Sequence, residues 1–204
     1  ELASIAGIEN GDALFFMCDT RAKANELGGK VRAQFAEKLN LIDPNEFNFC
    51  WIVDFPFFEK DEETGAIIFS HNPFSMPQGG MKALEEKDPL DVLAYQYDIV
   101  CNGVELSSGA VRNHDPEIMV KAFSLVGLGK EDVVKKFPAL YHAFEYGAPP
   151  HAGVAPGVDR MVMLISDTVN IREVIAFPMN AKARDLLMNA PSPVEPKQLD
   201  EVHI

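Results

Sequence analysis

The sequence predicts an α+β fold whose strands pair antiparallel. Asn102-Gly103, the strongest short hairpin signal in the chain, separates strand-like runs at 95–101 and 104–112. Two further runs, at 47–58 and 66–69, are rich in aromatic and β-branched residues and flank a turn, so we expect a second hairpin with a buried first strand. Apolar residues at steps of four predict an amphipathic helix ahead of these strands: Leu27, Val31, Phe35 and Leu39.

Composition indicates a globular protein of one or two domains. The 204 residues are 47% hydrophobic and 24% charged. The net charge of −13 argues against general affinity for nucleic acid, which needs clustered Lys and Arg. No apolar run reaches about 18 residues, so we expect no membrane span. No signal peptide is evident, and the chain begins with Glu1 rather than Met, so we expect a piece of a longer cytosolic protein. Three widely spaced cysteines without a Cys-x-x-Cys pattern predict buried thiols in a reducing compartment: Cys18, Cys50 and Cys101.

The first 46 residues read as a strand at 13–17 followed by a helix that Asp19 or Thr20 can cap. Gly28-Gly29 lowers the helix propensity of this segment. The two glycines are not predicted to form a phosphate-binding loop, because the Lys-Ser/Thr pair that such loops carry does not follow them. The polar run 43–46 marks a boundary.

A loop at 70–77 follows the second hairpin and contains His71, which is either structural or a ligand contact on the residues alone. After it, 78–80 reads as a flexible tip and 88–93 as a short helix.

Two charged residues stand on the strand 104–112. Glu105 and Arg112 are seven apart, which puts them on opposite faces of a regular strand. Gly109 permits a bulge or the close approach of a ligand. A charge of this kind, taken by itself, is most often solvated surface.

Helices are predicted over most of the remaining chain, apart from the segment described next. Residues 113–116 cap a helix at 117–126, and a helix at 131–145 is kinked at Pro138. His114 and His142 are predicted on the surface. Further along, we expect a strand or short helix at 171–177, a helix at 181–189 and a tail at 191–204 without a core of its own.

The segment 146–165 combines a glycine- and proline-rich extended piece with an apolar helix. Gly157 precedes Val158, Asp159 and Arg160, after which the sequence is apolar to residue 165. A helix N-terminus presents N–H groups and a positive dipole end, and an arginine adds a charged fork, so the pattern suits an anion site. A turn that leads into a buried core helix is the alternative.

This segment resembles motif 3 of the class II aminoacyl-tRNA synthetases, which ends in Gly-Φ-(Asp/Glu)-Arg, and is most similar to bacterial-type aspartyl-tRNA synthetases. Tyr-Gly-Ala-Pro-Pro-His upstream and Ile-Arg-Glu-Val-Ile-Ala-Phe-Pro downstream also fit that family. Ala152 and Pro156 differ from the residues that are common at these positions of the family motif. The 70–77 loop and the strand 102–112 match in the same order, so the resemblance covers essentially the whole chain.

The resemblance implies residue roles. Arg160 would hold the adenine and γ-phosphate of ATP, and Glu105 would hold ATP through Mg²⁺. Arg112 and His71 would bind L-aspartate. A larger set would contact the nucleotide: Gly153, Gly157, Val158, Asp159, Arg160 and Glu105.

The implied fold is an antiparallel sheet flanked by helices, the partial class II catalytic core. Residues 1–46 would end a domain inserted between motifs 2 and 3, 47–190 would be the second half of the catalytic domain, and 191–204 a C-terminal tail. The implied activity is ATP-dependent activation of aspartate and its transfer to the aspartate tRNA, with the asparagine tRNA open, by a cytoplasmic homodimer. Motifs 1 and 2 are not found, so we expect the fragment alone to be inactive. A paralogue with another acceptor, a non-catalytic binding module and an asparaginyl-tRNA synthetase remain open; Arg112 argues against the last.

Overall fold

The computed structural model describes residues 2–204, which form two compact units that divide between Phe47 and Asn48. The first unit contains helices α1, Leu2–Ala6, and α2, Arg21–Lys38. The predicted helix is present and begins directly after Thr20, without a side-chain cap. Its amphipathic character is not confirmed, because no residue of α2 is buried and Leu27 and Phe35 are 51% and 40% exposed. Its glycine pair lies inside the helix.

The strand predicted at 13–17 is wrong. This stretch has no regular structure, and Phe15 instead packs on Phe35 of α2 with ring centroids 4.6 Å apart. The described part of the first unit offers no strand with which it could pair, and an extended segment without a partner leaves its backbone groups unsatisfied.

The second unit is built on an antiparallel sheet, which confirms the predicted fold class. Six strands are present: β1 Phe49–Pro56, β2 Phe58–Lys60, β3 Ile67–Phe69, β4 Leu93–Cys101, β5 Val104–Val111 and β6 Ala152–Pro156. The main sheet has the order β1-β4-β5-β6, and β2 pairs with β3 separately. Asn102 and Gly103 both have positive φ, +50° and +80°, as a two-residue turn between β4 and β5 requires.

The run 47–58 is divided between two sheets. Its longer part, β1, pairs with β4, and only β2 forms the predicted hairpin with β3. The expected burial is confirmed for Phe57 and Phe58 but was wrong for β1, since Phe49 and Trp51 are about 60% exposed. The reason is its position at the edge of the main sheet, where β4 is its only pairing partner among the described strands.

The core lies where β2, β3 and the start of β4 meet the helices. Four helices are present in this region: α3 Gly80–Glu86, α4 Pro116–Leu125, α5 Lys130–Lys136 and α6 Pro138–Glu145. Ile118 of α4 packs with Phe58 and Val92, while Phe123 on the same helix packs with α5 and α6 residues. The predicted cap of α4 is confirmed: Asp115 accepts hydrogen bonds from two backbone N–H groups.

Pro138 does not kink one helix but separates two, because α5 ends at Lys136 and α6 begins at Pro138 itself. The predicted flexible tip at 78–80 is also wrong. Gly79, with φ +88°, precedes the first residue of α3. Gln78 Nε2 donates to Asp54 Oδ1 at 2.7 Å and to the Ala94 carbonyl at 3.2 Å.

The C-terminal stretch differs most from expectation. A 3-10 helix spans Ile171–Glu173, but 181–189 is not helical, because Asn180 and Asp185 accept hydrogen bonds from following N–H groups and form turns. The tail at 191–204 contains a short helix, α8, Pro196–Glu201, and all of its residues are exposed, as expected for a segment without a core of its own.

Two predictions about side-chain exposure were wrong. Cys18 and Cys50 are exposed, and only Cys101 is buried. His142 is exposed as predicted, whereas His114 is half-buried and its Nδ1 has no hydrogen-bond partner within residues 2–204. None of the described helices combines the length and the apolar character that crossing a bilayer needs.

Candidate active site

A concavity of about 510 Å³ opens on one face of the main sheet. Three residues singled out from the sequence line it: His71, Glu105 and Arg112. Four further lining residues matter below: Phe55, Gln96, Asp98 and Ser108. We call this hollow the Arg112 cavity. It brings an acid, a guanidinium and an imidazole to one place.

A bulge in β5 accounts for the shared position of Glu105 and Arg112. Ser107 pairs with Ile99 but Glu105 pairs with Val100, so Leu106 is an extra residue. The extra residue moves Glu105 to the face that carries Asp98 and Ser108, which are opposite each other in the ladder. The spacing of seven therefore places Glu105 and Arg112 together, contrary to the expectation for a regular strand.

A second irregularity brings Phe55 into the cavity. The register between β1 and β4 shifts by one residue between Val53 and Phe55, at Asp54, whose φ is +59°. After the shift, Phe55 pairs with Ala94. Its ring meets the His71 ring edge to face, with centroids 5.1 Å apart. Phe55 thereby buttresses the imidazole at the cavity wall.

The 70–77 loop carrying His71 is held between the ends of two strands. Ser75 bridges to Arg112 and Pro77 to Ala94. Met76 N–H donates to the Val111 carbonyl at 2.9 Å, and the Met76 carbonyl accepts from Tyr95 N–H at 3.0 Å. The loop is thus fixed by backbone hydrogen bonds on both sides.

The segment predicted as an anion site forms β6, a turn at Gly157 and helix α7, Val158–Ile165. Gly157 N–H donates to the Leu106 carbonyl at 2.7 Å, which joins the start of α7 to the bulge. Val158 is 65% exposed, and no residue of α7 is buried, so the expectation of a buried helix was wrong. Asp159 lies in the first turn.

Arg160 reaches Glu105. Its Nη1 donates to the Glu105 carbonyl at 2.7 Å and lies 3.2 Å from Glu105 Oε1. Both side chains remain nearly half exposed, so this pair connects α7 to the rim of the cavity without being withdrawn from solvent. Glu105 therefore contacts one predicted arginine and shares the cavity with the other.

Gly109 and Gly153 differ in what surrounds them. A Cβ built on Gly109 would lie 2.4 Å from the Gly153 carbonyl oxygen and 2.5 Å from the Tyr97 ring. The close approach predicted at Gly109 therefore involves the protein's own strand and ring. Gly153 in β6 has open space where its Cβ would be, and its carbonyl accepts from Tyr97 Oη at 3.1 Å.

His151 lies with Gly153 in an adjoining hollow of about 310 Å³, and Arg112 lines both this hollow and the Arg112 cavity. Its Nδ1 is 2.9 Å from the Pro149 carbonyl oxygen.

Sequence reasoning missed Asp98, Gln96 and Phe55. The hairpin centred on Asn102-Gly103 gave a usable signal for Asp98, because the turn pairs Val100 with Glu105, and Asp98, two residues before Val100, lies on the same face of its strand. Phe55 could not be found in this way, since its orientation depends on the register shift.

Comparison with known proteins gives a consistent result. The family model described as tRNA synthetases class II (D, K and N) matches residues 12–181. Aspartate–tRNA(Asp/Asn) ligase of Rickettsia felis is 59% identical over 207 aligned positions, and that of Gluconobacter oxydans 56% over 203. Each match covers all of this chain and 34% of the relative, so the chain spans about a third of the length of these proteins. Among solved structures, an aspartyl-tRNA synthetase from Entamoeba histolytica superposes with a TM-score of 0.50 at 24% identity, over 90% of this chain and 30% of that one, and supports the fold.

Proposed function

Because the chain belongs to the class II tRNA synthetases of the D, K and N group, we propose that it is the motif 3 part of an aspartate–tRNA ligase. The full protein activates L-aspartate with ATP and transfers the aspartyl group to tRNA. The observation that carries the proposal is the Arg112 cavity, where a guanidinium and two carboxylates share one concavity next to the start of α7.

Arg112 binds the side-chain carboxylate of aspartate in this proposal. A planar guanidinium pairs with a carboxylate through two parallel hydrogen bonds. The neutral amide of asparagine leaves that charge unmatched, so the pocket discriminates against it. His71, buttressed by Phe55, lies at the same cavity and contacts the amino acid.

The start of α7 binds the nucleotide. Arg160 holds the triphosphate and adenine end, and the extended segment ending at Gly157 lets the nucleotide lie against the backbone. Val158 and Asp159 belong to the same exposed first turn. Gly153 contributes a backbone surface free of a side chain. The hydrogen bond from Arg160 to the Glu105 carbonyl fixes this helix relative to the amino-acid side of the site.

The donor atoms fit Mg²⁺. Asp98 and Glu105 both line the cavity, and carboxylate oxygen is the ligand type that Mg²⁺ prefers. Residues 2–204 contain no group of three or more His, Cys, Asp or Glu side chains that could hold a metal, so in this proposal the ion takes its remaining ligands from phosphate and water. Bound there, the ion would neutralise phosphate charge.

The chain's own residues then act by positioning. The aspartate α-carboxylate attacks the α-phosphorus in line with the leaving pyrophosphate, and alignment of the two substrates supplies most of the rate. Arg112 with His71 fixes one reactant, and Arg160 with Glu105 fixes the other.

The acceptor, assembly and location belong to the whole protein. We propose that it charges the aspartate tRNA and also the asparagine tRNA, as the names of the similar relatives say of those proteins. We further propose a homodimer in the cytoplasm, with residues 1–46 as the end of an inserted domain, 47–190 as half of the catalytic domain and 191–204 as its tail.

The test is aspartate-dependent exchange of pyrophosphate into ATP by the full-length protein. We expect exchange with L-aspartate, no exchange with L-asparagine, and aspartylation of both tRNAs. The 204-residue chain alone should give no aminoacylation and only weak ATP binding. Exchange driven by another amino acid would indicate a paralogue, and no exchange at all would indicate a non-catalytic module.

A further inference from the structure

The side chain of Gln96 lies under the 70–77 loop. Gln96 is on β4, only 8% exposed, and lines the Arg112 cavity. Its Nε2 donates to the Asn72 carbonyl at 3.1 Å and to Ser75 Oγ at 2.8 Å. Since a carbonyl can only accept, the contact with Asn72 fixes which end of the amide faces the loop.

These two hydrogen bonds connect the sheet to the loop next to His71 and to the residue that pairs with Arg112. Asn72 follows His71 directly, and Ser75 bridges to Arg112. Ser75 is fully buried, so its hydroxyl and the Gln96 amide satisfy each other away from water. The Gln96 amide therefore joins the loop that carries the imidazole to the sheet that carries the guanidinium.

We propose that Gln96 is a positioning residue for the amino-acid pocket. It sets the distance between His71 and Arg112 by holding the loop at Asn72 and Ser75. The inference rests on the proposed function for its substrate, L-aspartate, and adds a residue that acts on that substrate through its neighbours.

Gln78 provides a matched control. It is the glutamine that directly follows the 70–77 loop, and its amide also donates two hydrogen bonds, to Asp54 and to the Ala94 carbonyl. Gln78 does not line the Arg112 cavity. Loss of its amide removes the same number of hydrogen bonds beside the loop, and neither partner lies within the loop.

The experiment compares Gln96→Met with Gln78→Met in the full-length protein by pyrophosphate exchange, together with thermal unfolding. For Gln96→Met we expect the KM for L-aspartate to rise about tenfold, because two buried hydrogen bonds are lost, while the KM for ATP changes by less than about twofold. For Gln78→Met we expect both KM values to stay within about twofold. Should Gln96→Met fail to fold, Ser75→Ala removes one of the two hydrogen bonds with little change of shape. Its KM for L-aspartate should rise about threefold, while its KM for ATP changes by less than about twofold.

An unchanged KM for L-aspartate, or an equal rise in both KM values, overturns the role of Gln96. An equal effect of Gln78→Met on the KM for L-aspartate also overturns it, because the KM would then rise whenever hydrogen bonds near the loop are lost, and not through Gln96 in particular. Absence of aspartate-dependent exchange in the unaltered protein instead refutes the proposed function, so the two failures are distinguishable.

Discussion

Gly109→Ala should weaken the main sheet by a calculable amount. The new methyl group would lie 2.4 Å from the Gly153 carbonyl oxygen, where ordinary contact begins at 3.4 Å. The strands β5 and β6 must therefore separate locally by about 1 Å, and the Tyr97 ring, 2.5 Å from the methyl, must move as well. Overpacking of this kind costs about 1–3 kcal/mol, and loss of the Tyr97 hydrogen bond to Gly153 adds about 1 kcal/mol.

Urea unfolding of the 204-residue chain, followed by tryptophan fluorescence, measures this effect. Trp51 is the only tryptophan and packs edge-on against Tyr97, with ring centroids 6.1 Å apart, so it reports on this sheet. Gly153→Ala is the matched control, because a methyl there has nothing within 4 Å. It should be neutral or stabilising by about 0.4–1 kcal/mol. If the free energy of unfolding of Gly109→Ala lies within about 0.5 kcal/mol of that of the unaltered chain, the argument from strand contact is refuted.

Two predictions concern the full-length protein. Arg112→Lys should raise the KM for L-aspartate by about 30-fold or more, because a point charge replaces a two-pronged contact, with little change in the KM for ATP; equal KM values in the variant and the parent would contradict the assignment. Gly153→Ala should raise the KM for ATP about tenfold while stability is kept, since a methyl would occupy the surface assigned to the nucleotide. An unaltered KM for ATP would place the nucleotide elsewhere.

The parts of the fold that could be predicted are those encoded locally. The turn at Asn102-Gly103 needs positive φ at two consecutive residues, and the cap at Asp115 needs one side-chain oxygen next to a proline. The prediction of a helix at 181–189 failed because local residues do not decide between a helix and turns. Asn180 and Asp185 accept hydrogen bonds from nearby N–H groups and form turns that are close to a helix in free energy. The buried character expected of β1 depends on its position in the sheet, which its own residues do not encode.

The site was predictable as a set of residues but not as an arrangement. His71, Glu105 and Arg112 were selected from the sequence and line the Arg112 cavity, and Arg160 contacts Glu105. Their roles in binding stay predictions. Periodicity alone would have placed Glu105 and Arg112 on opposite faces, because no propensity signals the extra residue Leu106. Gln96 was overlooked because its amide matters through Asn72 and Ser75, which are more than twenty residues away.

The extra residue in β5 limits which insertions and deletions this protein can tolerate. Deleting Leu106 would restore a regular ladder and favour β-sheet stability locally, yet it would turn the Glu105 carboxylate to the far side of the sheet from Arg112. It would also remove the carbonyl that receives Gly157 N–H, so the start of α7 would lose its attachment. A homologue one residue shorter here could thus fold well and still have lost its chemistry.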